Sequence, residues 1–219
     1  MNDGDNESAI KYYQVLESRY PFGKYSQQGQ LDLAYAYFKN EDFEQALSAC
    51  DRFIKMNPSH LSVDYAYYLK GLVNYKQKHG ILERLFPVDP STRDPGAARQ
   101  AFFDFKVLLE KFPNSRYSRD AKTRMLFLRN NLAKHEIVVA RHYMSINAYV
   151  AAVNRAKYVI ENYDSSPSIN DALAVLVVSY EKLGLNDLAR DSRRVLKQNY
   201  PDHPLLKNGA KSKKLVANP

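Results

Sequence analysis

The sequence predicts an all-α chain built from helix pairs that repeat along its length. Three observations predict it. Gly and Pro number 8 and 10 in 219 residues, which is low for a chain that must turn between many short strands. An Ala, a bulky residue four positions on, an apolar residue three further and a Pro five beyond that recur several times. A second apolar segment precedes these copies at a fixed distance.

The recurring stripe reads Ala9, Tyr13, Leu16, Pro21; then Ala46, Cys50, Phe53, Pro58; then Ala101, Phe105, Leu108, Pro113. Its last copy is Ala189, Arg193, Leu196, Pro201, where Arg193 breaks the apolar rule. A weaker copy is Ala152, Ala156, Val159, with Asp164 in place of Pro. Offsets of four and three place these side chains on one helical face. The small Ala permits close helix approach, and the Pro falls where the helix must stop.

The preceding segments carry an apolar residue, a small or apolar one, and an aromatic three later: Leu33-Ala34 with Tyr37, Val139-Ala140 with Tyr143, Leu176-Val177 with Tyr180, and more loosely Gly71 with Tyr75. The spacing from Ala34 to Ala46, from Ala140 to Ala152 and from Val177 to Ala189 is 12 residues each time. That is the register of the tetratricopeptide repeat, a helix–turn–helix unit of about 34 residues. The predicted fold is a tetratricopeptide superhelical solenoid of five repeats, the first truncated.

Repeat two runs over about 27–60, repeat four over about 118–166 with a first helix starting early, near Ser118, and repeat five over about 168–203. Repeat three is interrupted by a Pro-rich insert from His79 to about Gly96, which contains Pro87, Pro90 and Pro95 and reads as an ordered loop. Of repeat one, Asp3-Gly4-Asp5 reads as the inner turn and Glu7 to Arg19 as the second helix; its first helix is expected before Met1. The domain organisation expected is repeats one to three over 1–113, repeats four and five over 114–203, and a basic disordered tail over 204–219 carrying Lys207, Lys211, Lys213 and Lys214.

Charge divides along the chain. Residues 1–114 hold 14 basic and 15 acidic side chains, and residues 115–219 hold 18 and 9. The basic half fits a solvated surface, an acidic protein partner, an anionic membrane or nucleic acid. Nucleic acid is disfavoured, because the aromatics that would stack on bases concentrate in the neutral half. No stretch is long and apolar enough to span a membrane, the longest being Ala172 to Val178.

Catalytic chemistry is not indicated. His135-Glu136 has no second His at offset four, and there is no nucleophile elbow, phosphate loop or dinucleotide fingerprint. The single Cys50 excludes an internal disulfide and a Cys-rich zinc site. It falls on the recurring stripe and reads as core. No enzyme activity, cofactor or metal is expected.

Repeat solenoids bind polypeptides on extended surfaces lined by their first helices. The inward positions would be Gln28, Leu31, Tyr35 and Phe38 in repeat two, and Tyr65, Tyr68, Leu72 and Tyr75 in repeat three. Five of the eight are aromatic, which offers large contact area with few rotamers to freeze. The expectation is a groove for an extended or C-terminal peptide in the N-terminal half.

Several stretches then carry a likeness: Arg19-Tyr20-Pro21-Phe22-Gly23, Tyr25-Ser26-Gln27-Gln28, Gln30-Leu31-Asp32-Leu33, Asp51-Arg52-Phe53-Ile54 with Asn57-Pro58, Arg93-Asp94-Pro95, Phe112-Pro113-Asn114-Ser115 with Tyr117, and Val153-Asn154-Arg155. Collinearly from about Met1 to about Pro201, the chain resembles the BamD family of outer-membrane protein assembly factors of Gram-negative bacteria. The resemblance implies a periplasmic lipoprotein at the outer membrane, a scaffold and substrate-recruiting subunit of the machinery that inserts β-barrel proteins. It implies unfolded barrel substrates, bound by their C-terminal targeting segment, as one class of partner. The barrel subunit's membrane-proximal POTRA domain and other lipoprotein subunits are the others. The implied substrate groove is Tyr20, Phe22, Tyr35, Phe38, Tyr65, Tyr68 and Tyr75. The implied partner interface is Asn154 and Arg155, with Arg93 and Asp94 of the insert, Arg155 pairing with a carboxylate of the partner. Membrane contact would come only through a lipid anchor that, like the export signal, would belong to sequence before Met1. The competing expectation is another periplasmic tetratricopeptide adaptor that coordinates envelope processes; the Tyr-Pro-Phe-Gly segment and the insert argue against it.

Overall fold

The computed structural model describes residues 5–21, 23–77 and 95–207. Among them the chain forms α1 (Asn6–Arg19), α2 (Lys24–Lys39), α3 (Phe43–Met56), α4 (Val63–Gln77), α5 (Gly96–Lys111), α6 (Ser118–Ser145), α7 (Tyr149–Asn162), α8 (Ile169–Lys182), α9 (Asn186–Asn199) and α10 (Pro204–Lys207). No strand occurs among the described residues. The arrangement is the all-α, tetratricopeptide-like succession of helix pairs that the spacing predicts: α1 as the second helix of repeat one, then α2/α3, α4/α5, α6/α7 and α8/α9. The insert lies almost wholly outside the described residues, between α4 and α5, as does the tail from 208 onwards. Residues 204–207, expected to begin the disordered tail, instead form α10 and bury Leu205.

The helices are started and stopped by devices that recur from repeat two onwards. Within repeats two, four and five the first helix ends on a residue in the left-handed region, Glu41 (φ 65°), Asn147 (φ 60°) and Gly184 (φ 74°). The next N–H in each case returns to the carbonyl of the repeat's tyrosine, from Asp42 to Tyr37, Ala148 to Tyr143 and Leu185 to Tyr180. After repeats two to five, the N–H groups of His60, Ser115, Ser166 and His203 close turns on the carbonyls of Asn57, Phe112, Tyr163 and Tyr200. The side chains of the same four residues then accept the N–H two positions on: His60 Nδ1 from Ser62 (3.1 Å), Ser115 Oγ from Tyr117 (3.2 Å), Ser166 Oγ from Ser168 (3.3 Å) and His203 Nδ1 from Leu205 (3.2 Å). Each capping acceptor satisfies a donor that the following helix would otherwise leave orphaned.

The described residues fall into two compact units, divided inside α6 between Leu128 and Arg129. In the first, Ala34, Ala46, Cys50, Leu69 and Val73 form one core cluster, Leu31, Phe53, Val63 and Ala66 a second, and Ile10, Leu33 and Ala36 a third. Cys50 is fully buried. Burial, reinforced by the neighbouring Asp51, pushes its thiol up to about 12. A buried polar link crosses from α4 to α5, where Asn74 donates to Asp104 at 2.6 Å. In the second unit every residue from Ala172 to Tyr180 is buried. The apolar run of α8 is therefore explained by its position: it packs against both α7 and α9, and a helix covered on two sides needs an apolar circumference.

Candidate functional site

The first unit carries a surface built from α2, α4 and the start of α6. Tyr65, Tyr68, Leu72 and Tyr75 follow one another at offsets of three, four and three on α4, all half-buried. Tyr117 and, from α6, Asp120, Arg124 and Phe127 repeat those offsets. The two rows meet. Tyr68 stacks on Tyr117 with ring centroids 4.6 Å apart and planes at 15°; Tyr65 lies against the same ring at 5.4 Å. Further along, Tyr75 meets Phe127 edge-on at 6.2 Å. On α2, Tyr35 and Phe38 pair at 6.3 Å, and Lys76 of α4 sits over the Phe38 ring at 5.3 Å.

Charges in this aromatic field are tied to one another. The Tyr68 hydroxyl donates to Asp120 Oδ2 at 2.6 Å, and Arg124 Nε donates to the same oxygen at 2.5 Å. The Arg124 guanidinium lies 4.9 Å from the Tyr75 ring centroid, within cation–π range. Burial raises the Asp120 carboxyl, yet the hydrogen bonds from Arg124 and Tyr68 outweigh it and leave it below its ordinary value. Burial, then the bond to Asp120, pushes the Tyr68 hydroxyl up to about 12. Tyr65 is raised by burial first, with Tyr117 and Tyr35 adding to it. Both hydroxyls therefore stay protonated at neutral pH. The surface offers aromatic faces, protonated hydroxyls and a fixed guanidinium, a composition suited to holding an aromatic-bearing peptide.

Of the expected groove residues, Tyr65, Tyr68 and Tyr75 are brought into this cluster, and Tyr35 and Phe38 pair with each other on α2. Leu31 does not line it: it is buried with Phe53 and Val63 in the core. Tyr20 is exposed where α1 ends, and among the described residues no ring pairing joins it to the others. Phe22 lies outside the described residues. Tyr117, Asp120, Arg124 and Phe127 were not among the groove residues expected from sequence; the shared 3–4–3 spacing is the signal that finds them.

In the second unit, Asn154 and Arg155 of α7 line a surface depression of about 250 Å³ with Tyr143, Ala151 and Tyr158. Arg155 Nη1 donates to Glu136 Oε2 at 3.1 Å. Glu136 is only 1% exposed, whereas the Arg155 side chain is 43% exposed. The carboxylate that Arg155 holds in this chain is thus its own Glu136, on α6. Arg93 and Asp94 lie outside the described residues. Among those described, no three His, Cys, Asp or Glu side chains gather as a metal site.

A family model described as outer membrane lipoprotein (YfiO) matches residues 1–196. The chain is 44% identical to an outer membrane protein assembly factor BamD of Neisseria meningitidis serogroup B, over 94% of this chain and 78% of the relative. It is 41% identical to the BamD of Xylella fastidiosa, over 94% and 71%, and 38% identical to that of Vibrio cholerae, over 91% and 83%.

Proposed function

The chain belongs to the YfiO family of outer membrane lipoproteins, and from that premise we propose that it is a non-catalytic scaffold and substrate-recruiting subunit of the machinery that assembles β-barrel proteins in the outer membrane. The relatives named as outer membrane protein assembly factors support the role in assembly. The observation that carries the finer reading is the run of rings formed by Tyr65, Tyr68 and Tyr117. It supports binding of the aromatic C-terminal targeting segment of barrel substrates. Tyr68 and Tyr117 each have two stacked or tilted ring neighbours and Tyr65 has one, so little rotamer entropy is lost when a peptide aromatic lies on them.

The second unit docks the periplasmic POTRA domain of the barrel subunit, through Asn154 and the exposed part of Arg155. The site is on the periplasmic side of the outer membrane, and attachment is by a lipid anchor, as the family's description as outer membrane lipoproteins supports. The insert residues Arg93 and Asp94 belong to the same docking proposal.

Titration of a fluorescent peptide ending in an aromatic residue, against the wild type and the Tyr65→Ala and Tyr68→Ala variants, tests the substrate half of the reading. Each variant is expected to weaken binding, since a centrally placed aromatic anchor contributes about 2 kcal/mol or more. Unchanged affinity in both would sink it. For the docking half, Arg155→Ala is expected to lose POTRA-domain capture at moderate salt; full retention would count against it.

A further inference from the structure

The last helix pair abandons a rule that the earlier ones keep. Counting from the recurring Ala of each second helix, the positions one, four and eight residues on are Leu47, Cys50 and Ile54 in α3. In α5 they are Phe102, Phe105 and Leu109, and in α7 Val153, Ala156 and Ile160. In α9 they are Arg190, Arg193 and Lys197. All three apolar positions have become basic.

In α3 these positions form the seam onto which the next helix packs. Leu47 and Cys50 share a core cluster with Leu69 and Val73 of α4, and Ile54 packs beside Val63 and Ala66. On α9 the corresponding stripe, together with Arg194 and Gln198, lines an open depression of about 520 Å³. Arg193 is held there by Glu181 of α8 at 2.6 Å. Arg190 and Arg194 are paired with Asp187 and Asp191 three residues before them, on the open face of the helix. Exposed pairs of that kind contribute little and exchange readily with other carboxylates.

Closing a repeat array for solubility alone requires a polar outer face of either sign. A stripe of one sign, at helix-packing offsets, asks for an opposite charge presented by a helix. Residues 208–219 do not supply it, since they carry Lys211, Lys213 and Lys214 and no acid. We infer that the Arg190–Arg193–Lys197 stripe docks an acidic amphipathic helix of a partner protein along the open depression that the stripe lines. This surface is separate in sequence and chemistry from the aromatic cluster and from the Arg155 depression.

The test uses the full chain and a fluorescent, side-chain-stapled helix bearing Glu at offsets of three and four beside a Leu stripe. The expected result is saturable binding that falls with salt and weakens at least about tenfold in Arg190→Glu/Lys197→Glu, in line with losses at desolvated charge contacts. Arg193 is left in place because it pairs with Glu181. Circular dichroism checks that the variant is folded; if it is not, Arg190→Gln/Lys197→Gln replaces it with the same expectation. A peptide of the same composition broken by proline is expected to bind at least about tenfold more weakly than the helix. Equal binding of the broken peptide, unchanged affinity in the folded variant, or binding only to phosphatidylglycerol-containing vesicles and not to the helix would each overturn the inference.

Discussion

Gly71 of α4 faces the ring of Phe105 on α5 so closely that a Cβ at position 71 would stand 2.4 Å from Cε1 and 2.6 Å from Cδ1. The ring is fully buried and cannot swing into solvent. Gly71 and Phe105 are the small and bulky partners of repeat three, so this contact is the repeat's helix-crossing point. Gly71→Ala is expected to destabilise the chain by about 1–3 kcal/mol through overpacking. Gly184→Ala should cost about 1 kcal/mol for a different reason, because φ there is +74° while nothing lies within 4 Å of the added methyl. Urea midpoints of the two variants, with the larger drop for Gly71→Ala, check both mechanisms; equal midpoints would contradict the packing account.

The repeat frame was legible in the sequence because a helix-crossing small residue and its bulky partners leave a spacing that survives without any knowledge of contacts. Cys50 as core and the break at Arg193 could be read from register alone. The candidate groove was only partly legible. Leu31 has the spacing of a groove residue, but Phe53 and Val63 close over it. The row Tyr117, Asp120, Arg124 and Phe127 was missed because α6 is a single helix of 28 residues, and its anchoring Ala140 lies far from that row. The Glu136–Arg155 pair joins two helices and leaves no periodic trace. The short α10 did have a signal: Pro201-Asp202-His203 repeats the Pro58-Ser59-His60 turn that precedes α4.

The Cys50 thiol is fully enclosed and raised to about 12 by burial, with Asp51 adding to it. Since the thiolate is the reactive form, iodoacetamide is expected not to modify Cys50 in the folded protein at about pH 8, and to modify it fully in urea. Mass spectrometry decides it, and rapid stoichiometric labelling of the folded chain would refute the assignment to the core.

The turns that follow repeats two to five use two His and two Ser acceptors, and this makes the last one sensitive to acid. His203 Nδ1 accepts the Leu205 N–H, and Nε2 lies 3.9 Å from Asp171 Oδ1. Burial, with Arg141 adding to it, lowers the imidazole below 6.5 despite the opposing pull of Asp171. The folded state therefore favours the neutral ring. Its contribution to stability is complete above the unfolded value of about 6.5 and is lost as pH falls below that value through the lower folded one. Unfolding midpoints are expected to drop between about pH 7.5 and about pH 5, and His203→Ser, which keeps an acceptor as at Ser115 and Ser166, should flatten that slope. An identical pH slope in the Ser variant would exclude His203 as its source.

The Tyr68 hydroxyl and Arg124 share one oxygen of Asp120, so the aromatic surface depends on a polar joint as well as on stacking. Tyr68→Phe keeps the ring on Tyr117 and removes only the donor. It is expected to retain most peptide binding while lowering stability by about 1–2 kcal/mol, the lower part of the range for a hydrogen bond to a charged group because Asp120 is partly exposed. Tyr68→Ala removes both ring and donor. Parallel titrations separate the roles: peptide affinity as weak in Phe as in Ala would mean that the hydroxyl, not the ring, is what binds.

If Arg155 docks a partner as proposed, it has two duties that a single alanine variant confounds. Its guanidinium holds Glu136, which is almost fully enclosed, while the rest of the side chain is open to a partner. Removing it weakens the pairing of a buried carboxylate, so Arg155→Ala is expected to lower stability by about 1–2 kcal/mol, a value reduced for the exposure of the arginine. Glu136→Gln keeps the shape and the arginine but removes the charge. In the double variant the two costs should not add, because they share one interaction. If docking depends on the arginine itself, POTRA-domain capture is lost in Arg155→Ala and in the double variant and survives in Glu136→Gln. If capture is lost in Glu136→Gln as well, Arg155 acts only when the buried carboxylate orients it, and Glu136 becomes the positioning residue of the interface.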